Sequence, residues 1–280
     1  MRADCHIHMV LDGVDWKQAI ARHEKAVDTA YIRSVLERYR DLGYTWLRDG
    51  GDRWGVSQRA AELAAEYGIV YRTPLAPISK AGCYGGFIGE QFADLRAYAD
   101  LVGQRREQGA HFIKIMISGL MDFDRFGVLT QPGLEKEEIR QLVHIAHEEG
   151  FSVMAHANGA RVIQAAAEAG VDSVEHGAYA DADALWAMKE AGTVWVPTLS
   201  TVGNLRGKGR YDEKAVARIL DSALENLAAF AEMGGFVAPG TDAGAWAVPH
   251  GCQTEEALLA LAGVDAAYLA AGTARIMERF

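Results

Sequence analysis

Cysteine is scarce in this chain: Cys5, Cys83 and Cys252 are the only three in 280 residues, an odd count with no CxxC spacing. A disulfide framework is therefore excluded as the source of stability, and the reducing cytoplasm is the expected location. Positive charge is also short. Twenty-eight Lys and Arg stand against 38 Asp and Glu, a net charge of −10 with no basic cluster. That balance argues against nucleic acid and against an anionic membrane surface as partners. No apolar run approaches the roughly 18 residues of a membrane-spanning helix, and no signal-peptide pattern opens the chain. No linker, repeat or low-complexity segment divides it. The one glycine-dense stretch, GCYGGFIG at 82–89, lacks the Lys-Ser/Thr ending of a phosphate-binding loop. It reads as a flexible loop over an active site.

What is present is an ordinary globular composition, half hydrophobic, sufficient for one large core. Apolar periodicity and glycine stops predict eight short strands: 3–10, 44–48, 69–73, 112–118, 151–155, 172–175, 193–196 and 236–238. They alternate with helical segments at 29–42, 56–67, 91–108, 134–149, 160–169, 181–191, 212–233 and 254–278. Strict alternation implies parallel strands with crossover helices, an α/β architecture. Eight units in this length match a (β/α)8 TIM barrel, which needs about 250 residues. A doubly wound open sheet would carry a glycine-rich turn after its first strand. Here that strand ends in histidines.

Barrel active sites form at the C-terminal ends of the strands. His6 and His8 end the first strand, two apart and so on one face. Arg48 and Asp49 end the second, and Lys114 lies in the fourth. His156 ends the fifth in MAHANG, His176 the sixth in VEHG, and Asp242 follows the eighth in GTDAG. Parity groups Phe112, Lys114, Met116 and Ser118 on one face. It likewise groups Ser152, Met154 and His156, and Asp172, Val174 and His176. If these faces point inward, the metal-binding residue types converge on one cavity. Taken singly, each has a plainer role: Asp242 in a turn, His176 in the core, Lys114 snorkelling at a strand end. Lys114 is the unusual member, because a lysine between two isoleucines is costly to bury unless neutralised or modified. A neutral amine can capture carbon dioxide as a carbamate, a carboxylate able to bridge two divalent ions.

The ordered set HxH, RDGG, IKIMISG, VMAHANG, VEHG, VPTL and GTDAG resembles the amidohydrolase superfamily, in the branch of imidazolonepropionase-related enzymes and metal-dependent prolidases. The resemblance runs from about residue 3 to residue 276. It implies a binuclear centre of two divalent ions, zinc first, with manganese, iron and cobalt as alternatives. His6, His8 and Asp242 would hold one ion, His156 and His176 the other, with carbamylated Lys114 bridging them. It implies hydrolysis of an amide or related acyl bond in a small molecule, such as an N-acyl amino acid or a dipeptide. Metal-activated water would attack, with Asp242 as general base and acid. Relatives usually carry a small β-sandwich built from both chain ends. Residues 1–280 are read as a single-domain barrel without it. Many relatives also have a histidine where this chain has Asn158.

Candidate substrate contacts are Arg48 and Arg125, able to pair with a carboxylate, and Tyr84, Tyr179 and His250 in loops over the expected mouth, with Phe87 and Trp246 beside them. Asp4 should face inward as an acceptor behind a ligand. His23 reads as surface or loop, and His111, His144 and His147 as surface or supporting residues. A small-molecule substrate is the expected partner, and a homo-oligomer is compatible. Other readings are a mononuclear deaminase or cyclic-amide or lactone hydrolase, a metal-dependent decarboxylase, and a non-catalytic metal-binding barrel.

Overall fold

A computed structural model describes residues 2–280. Strong local signals punctuate the chain. Six helices begin on an aspartate (Asp15, Asp28, Asp94, Asp181, Asp212 and Asp265) whose carboxylate accepts from backbone N–H groups of the first turn. Each such cap contributes about 1 kcal/mol. Gly170 and Gly192 end two helices in left-handed backbone, which costs glycine no Cβ clash.

The strands are β1 (Arg2–Ile7), β2 (Tyr44–Asp49), β3 (Val70–Arg72), β4 (Ile78–Lys80), β5 (Glu90–Phe92), β6 (Ile113–Met116), β7 (Val153–Ala157), β8 (Ser173–His176), β9 (Val194–Val196) and β10 (Phe236–Val237). The helices are α1 (Trp16–Ala21), α2 (Thr29–Asp41), α3 (Val56–Ala64), α4 (Leu95–Glu107), α5 (Lys136–Glu148), α6 (Ala160–Ala169), α7 (Ala182–Ala191), α8 (Ser200–Gly203), α9 (Glu213–Glu232), α10 (Thr254–Leu261) and α11 (Ala266–Arg279). Every strand pairing is parallel. β1-β2-β3 form one sheet, and β10-β9-β8-β7-β6-β4-β5 the other.

Backbone hydrogen bonds also cross between the sheets. Cys5 N donates to Pro239 O (2.9 Å), Asp242 N to His6 O (2.7 Å) and His8 N to Ala243 O (2.7 Å), which ties β1 to the segment after β10. His111 N donates to Thr73 O (3.0 Å) where the chain enters β6.

Side chains divide by strand parity. In β6, Ile113 and Ile115 face the helices and join the largest core cluster. It includes Ile139, Leu142, Val143 and Ala146, the buried stripe of α5 at helical spacing. The opposite faces meet in a smaller cluster where Ala3, Cys5, Trp46, Phe112, Met154, Val194 and Val196 pack with Ile276 and Phe280. Side chains from both sheets thus share one interior.

Four expectations need correction. The glycine-rich stretch is bounded by two strands, β4 and β5, because Ile78 and Phe92 are apolar positions that bury in the largest core cluster, β4 pairing with β6 and β5 with β4. The helix expected over 254–278 breaks into α10 and α11 at Gly263 (φ 77°), where Asp265 caps a new helix. Residues between the first strand and the helix at 29–42, given no element from the sequence, form α1. In β8 the expected parity is inverted. Ser173 and Glu175 face the interior polar network, while Val174 packs outward in the largest core cluster.

Among the described residues no single helix is long and apolar enough to cross a membrane. The three cysteines are unpaired.

Candidate metal centre

Six side chains from five strand ends line one cavity of about 690 Å3: His6, His8, Lys114, His156, His176 and Asp242. His6 Nε2 and His8 Nε2 stand 3.3 Å apart, and they lie 3.6 and 3.4 Å from Asp242 Oδ1. The three residues can present one ligand atom each with all three atoms within 4.8 Å. His176 Nδ1 lies 4.0 Å from Asp242 Oδ2. The His156 and His176 rings are 4.5 Å apart, centroid to centroid, and those of His6 and His176 5.2 Å.

The backbone is bent to bring these groups together. β1 loses its regular register between Asp4 and Ile7, and His8 lies beyond the strand end. His176 and Asp242 hold left-handed backbone at φ 67° and 57°, strain that concentrates at functional sites. This turn carries His176 into the cavity although its neighbour Glu175 also points inward. The His176 ring is fixed by Thr198 Oγ1, 2.7 Å from Nδ1. His156 Nε2 meets Gly119 O at 3.2 Å, and Asn158, which lines the same cavity, donates from Nδ2 to that carbonyl. Gly50, in RDGG, lies flat against His8: an added Cβ would fall 2.3 Å from His8 Cε1.

Burial dominates the electrostatics. It pushes His8 and His156 down to about 3, and His6 and His176 well below the usual imidazole range, helped by the nearby Lys114 charge. The four histidines are thus neutral and able to donate lone pairs. Burial raises the Asp242 carboxyl and lowers the Lys114 amine. Lys114 Nζ, Asp242 Oδ1 and His8 Nδ1 are buried with no hydrogen-bond partner among the described residues. Buried polar atoms are rarely left unsatisfied. Imidazole nitrogens, a carboxylate and an unpartnered amine around one cavity make a donor set that fits divalent cations.

Not every candidate reaches the cavity. Arg48 is fully buried, its guanidinium donating to Glu175 Oε1 (2.8 Å), Ser173 Oγ (2.9 Å) and Cys5 O (2.7 Å), so no charge is left for a substrate. Arg125 is exposed and paired with Asp122. His250 is buried against Leu11 O (2.9 Å) and the Tyr39 hydroxyl (3.3 Å), outside the cavity lining. Tyr179 packs edge-on against Phe126, also outside it. Loop position alone did not reveal which side chains turn away. Tyr84, Phe87 and Trp246 do line the cavity, and the Tyr84 ring lies 4.9 Å from that of His156. Asp4 supports backbone, not an imidazole: it accepts from the N–H of His6 and of Thr241 and from the Thr241 hydroxyl. Asp49 accepts from Gly51 N, Met9 N and the Tyr71 hydroxyl. His111 bonds the Thr73 backbone, while His144 and His147 are exposed on α5. His23, expected at the surface or in a loop, is instead buried, because its ring accepts from Asp28 N.

Three residues went unrecognised in the sequence. Glu175 accepts from His6 Nδ1 at 2.7 Å. An acid inside a strand beside a ligand-type histidine was the available signal. Lys17 and Arg210 are the other cations lining the cavity, and Arg210 lies 4.3 Å over the Trp246 ring. They sit in polar segments that carry no pattern.

A sequence profile of the amidohydrolase family matches residues 76–274. The chain is 29% identical over 277 residues to an ochratoxinase of Aspergillus niger, an alignment spanning 85% of this chain and 56% of that protein. It is 33% identical over 261 residues to an uncharacterised protein of Mycobacterium tuberculosis, spanning 91% of this chain and 65% of that one. The chain thus spans between about half and two thirds of the curated relatives it matches. Among solved structures, a Xaa-Pro dipeptidase with bound methionine superposes with a TM-score of 0.76 at 23% identity, over 99% of this chain and 74% of that one.

Proposed function

Because the chain belongs to the amidohydrolase family, we propose that it is a metal-dependent hydrolase of an amide or related acyl bond in a small molecule. One observation carries this reading: His6, His8 and Asp242 converge to within 4.8 Å on the floor of a cavity, with Lys114, His156 and His176 completing its polar wall. In this reading the two sheets close as a (β/α)8 barrel, supported by the backbone bonds that join β1 to the segment after β10.

His6, His8 and Asp242 would hold one divalent ion, zinc first, with manganese, iron or cobalt as alternatives. His156 and His176 would hold a second. Lys114, its amine favoured in the neutral form by burial, would take up carbon dioxide, lose a proton and bridge the pair as a carbamate. Such ions polarise a carbonyl and lower the pKa of water to about 7. Asp242, raised by burial and with Oδ1 lacking a hydrogen-bond partner, is placed to take a proton and deliver it to the leaving nitrogen.

The cavity is of a size that encloses most of a small ligand. Its walls are aromatic, with Trp16, Tyr84, Phe87, Phe123, Tyr211 and Trp246. Lys17 and Arg210 supply positive charge at the same cavity. An N-acyl amino acid or a dipeptide suits this arrangement, its apolar part against the aromatic wall and its carboxylate toward Arg210 or Lys17. The dipeptidase among the structural neighbours is consistent with that substrate class.

A second reading, one ion with Lys114 as a plain amine, is favoured by the tightness of the His6–His8–Asp242 trio alone. Metal analysis separates the two. The protein is loaded with zinc, manganese or cobalt and assayed on a panel of N-acyl amino acids and dipeptides. Turnover should require metal, stop on chelation, and fall at least a thousandfold in Asp242→Asn. Full metal loading without turnover of any panel member would sink the hydrolase reading.

A further inference from the structure

Behind His6 lies a chain of hydrogen bonds that the reaction above does not use. Arg48 on β2 donates from Nη2 to Glu175 Oε1 at 2.8 Å and from Nη1 to Ser173 Oγ at 2.9 Å. Ser173 donates to the same Oε1 at 2.5 Å. The other oxygen, Oε2, faces His6 Nδ1 at 2.7 Å. Arg48 and Glu175 are both fully buried, and the guanidinium is pinned by Cys5 O (2.7 Å) and by the Phe280 ring, 4.4 Å below it.

We infer that Glu175, oriented by Arg48, is a positioning residue that fixes the tautomer of His6 and so decides which nitrogen faces the metal. The inference rests on the metal-centre reading above. Arg48 and the Ser173 hydroxyl together demand an acceptor at Oε1. A carboxylate has only acceptors to offer, so its second oxygen demands a proton on His6 Nδ1. With Nδ1–H occupied, His6 Nε2 keeps its lone pair, and Nε2 is the nitrogen 3.3 Å from His8 Nε2 and 3.6 Å from Asp242. A carboxylate behind a histidine ligand sets ring orientation and raises basicity in this way. Here the carboxylate's own orientation is enforced by an arginine from the other sheet.

Glu175→Gln tests this with nearly no change of shape. In the variant Arg48 still demands an acceptor, so the glutamine oxygen must face Arg48 and Ser173. Its NH2 must then face His6 Nδ1. The tautomer inverts: Nδ1 accepts, and Nε2 carries a hydrogen pointing at the metal position. Adding Arg48→Met removes the constraint. The amide can then rotate, present its oxygen to Nδ1, and recover the original tautomer.

Two readouts are needed. In metal-free protein, long-range 1H–15N NMR of the His6 ring should show Nδ1–H in the wild type, Nε2–H in E175Q, and Nδ1–H again in the R48M/E175Q double variant. Zinc affinity, measured by competition with a chromogenic chelator, should fall 10- to 100-fold in E175Q and recover at least in part in the double variant. Affinity unchanged in E175Q, or a double variant no better than the single, overturns the inference, since a merely structural ion pair predicts additive damage. Absence of zinc binding in the wild type overturns the metal-centre reading instead. The NMR tautomers still decide the relay in that case.

Discussion

His6 Nε2 and His8 Nε2 face each other at 3.3 Å, both at under 4 Å from Asp242 Oδ1. With Nδ1 of His6 committed to Glu175, three electron-rich atoms are gathered in a buried space where they repel unless a cation or proton lies between them. A divalent cation should therefore bind the folded state and not the unfolded one. At a hundred times the dissociation constant, stabilisation reaches about 2.7 kcal/mol, on the order of 5 °C in Tm for a chain of this size. Thermal melts with zinc and with chelator check this. Coincident melts would remove the metal centre.

Lys114 is buried, and its Nζ lacks a hydrogen-bond partner among the described residues. Lys114→Met, of similar volume and without a buried unpartnered amine, should raise the stability of metal-free protein by about 1–3 kcal/mol in urea unfolding. Lys114→Ala should lose bound metal and activity, and a short carboxylic acid such as propionate should restore part of both by standing in for the carbamate. Wild-type metal content in Lys114→Ala would count against a bridging role.

Gly50 is required by the His8 ring and not by its backbone, whose φ lies outside the left-handed region. Gly50→Ala should leave the fold intact by circular dichroism yet displace His8. The expected result is at least tenfold weaker zinc binding. Unchanged affinity would show that the ring yields without consequence.

Arg210 stacks on Trp246 at the cavity wall. Arg210→Met keeps much of that packing and removes the charge. For substrates bearing a carboxylate KM should rise about tenfold, the equivalent of roughly 1.4 kcal/mol, with kcat little changed. The corresponding neutral amides should be unaffected. Equal effects on both would mean that Arg210 acts through packing.

His250 is held neutral by burial, its pKa pushed down to about 4 against 6.5 when unfolded. Between these values the unfolded chain binds the extra proton. The contribution of His250 to stability is thus complete above pH 6.5 and is lost as pH falls toward 4. Across that window the wild type should lose on the order of 3 kcal/mol more than His250→Gln. Urea unfolding of both proteins from pH 4 to 7 measures the difference, and parallel curves would refute it.

The sequence by itself determined the parallel β/α alternation and which metal-type residues it carries, though not β4, β5, α1 or the break between α10 and α11. Aspartate caps, glycine stops and runs such as IKIM are local signals, fixed by backbone hydrogen bonding and by whether a side chain can tolerate burial. They place His6 and His8 at β1, Lys114 in β6, His156 in β7, His176 in β8 and Asp242 after β10 whatever the other loops do. Only the tertiary structure decided what stands behind and around them. Arg48 reads as a free cation until it meets Glu175, 127 positions away on the other sheet. Asp4, placed behind a metal ligand by simple alternation, instead accepts from Thr241, 237 positions away in the segment after β10. His176 enters the cavity through a left-handed residue that strand parity cannot anticipate. Arg210 and Lys17 come from loops and the start of a short helix, and Arg125 turns away from a loop just as polar. Partners chosen across the molecule leave no periodicity in the chain. They are selected by which buried charges must find one another once the strands are assembled.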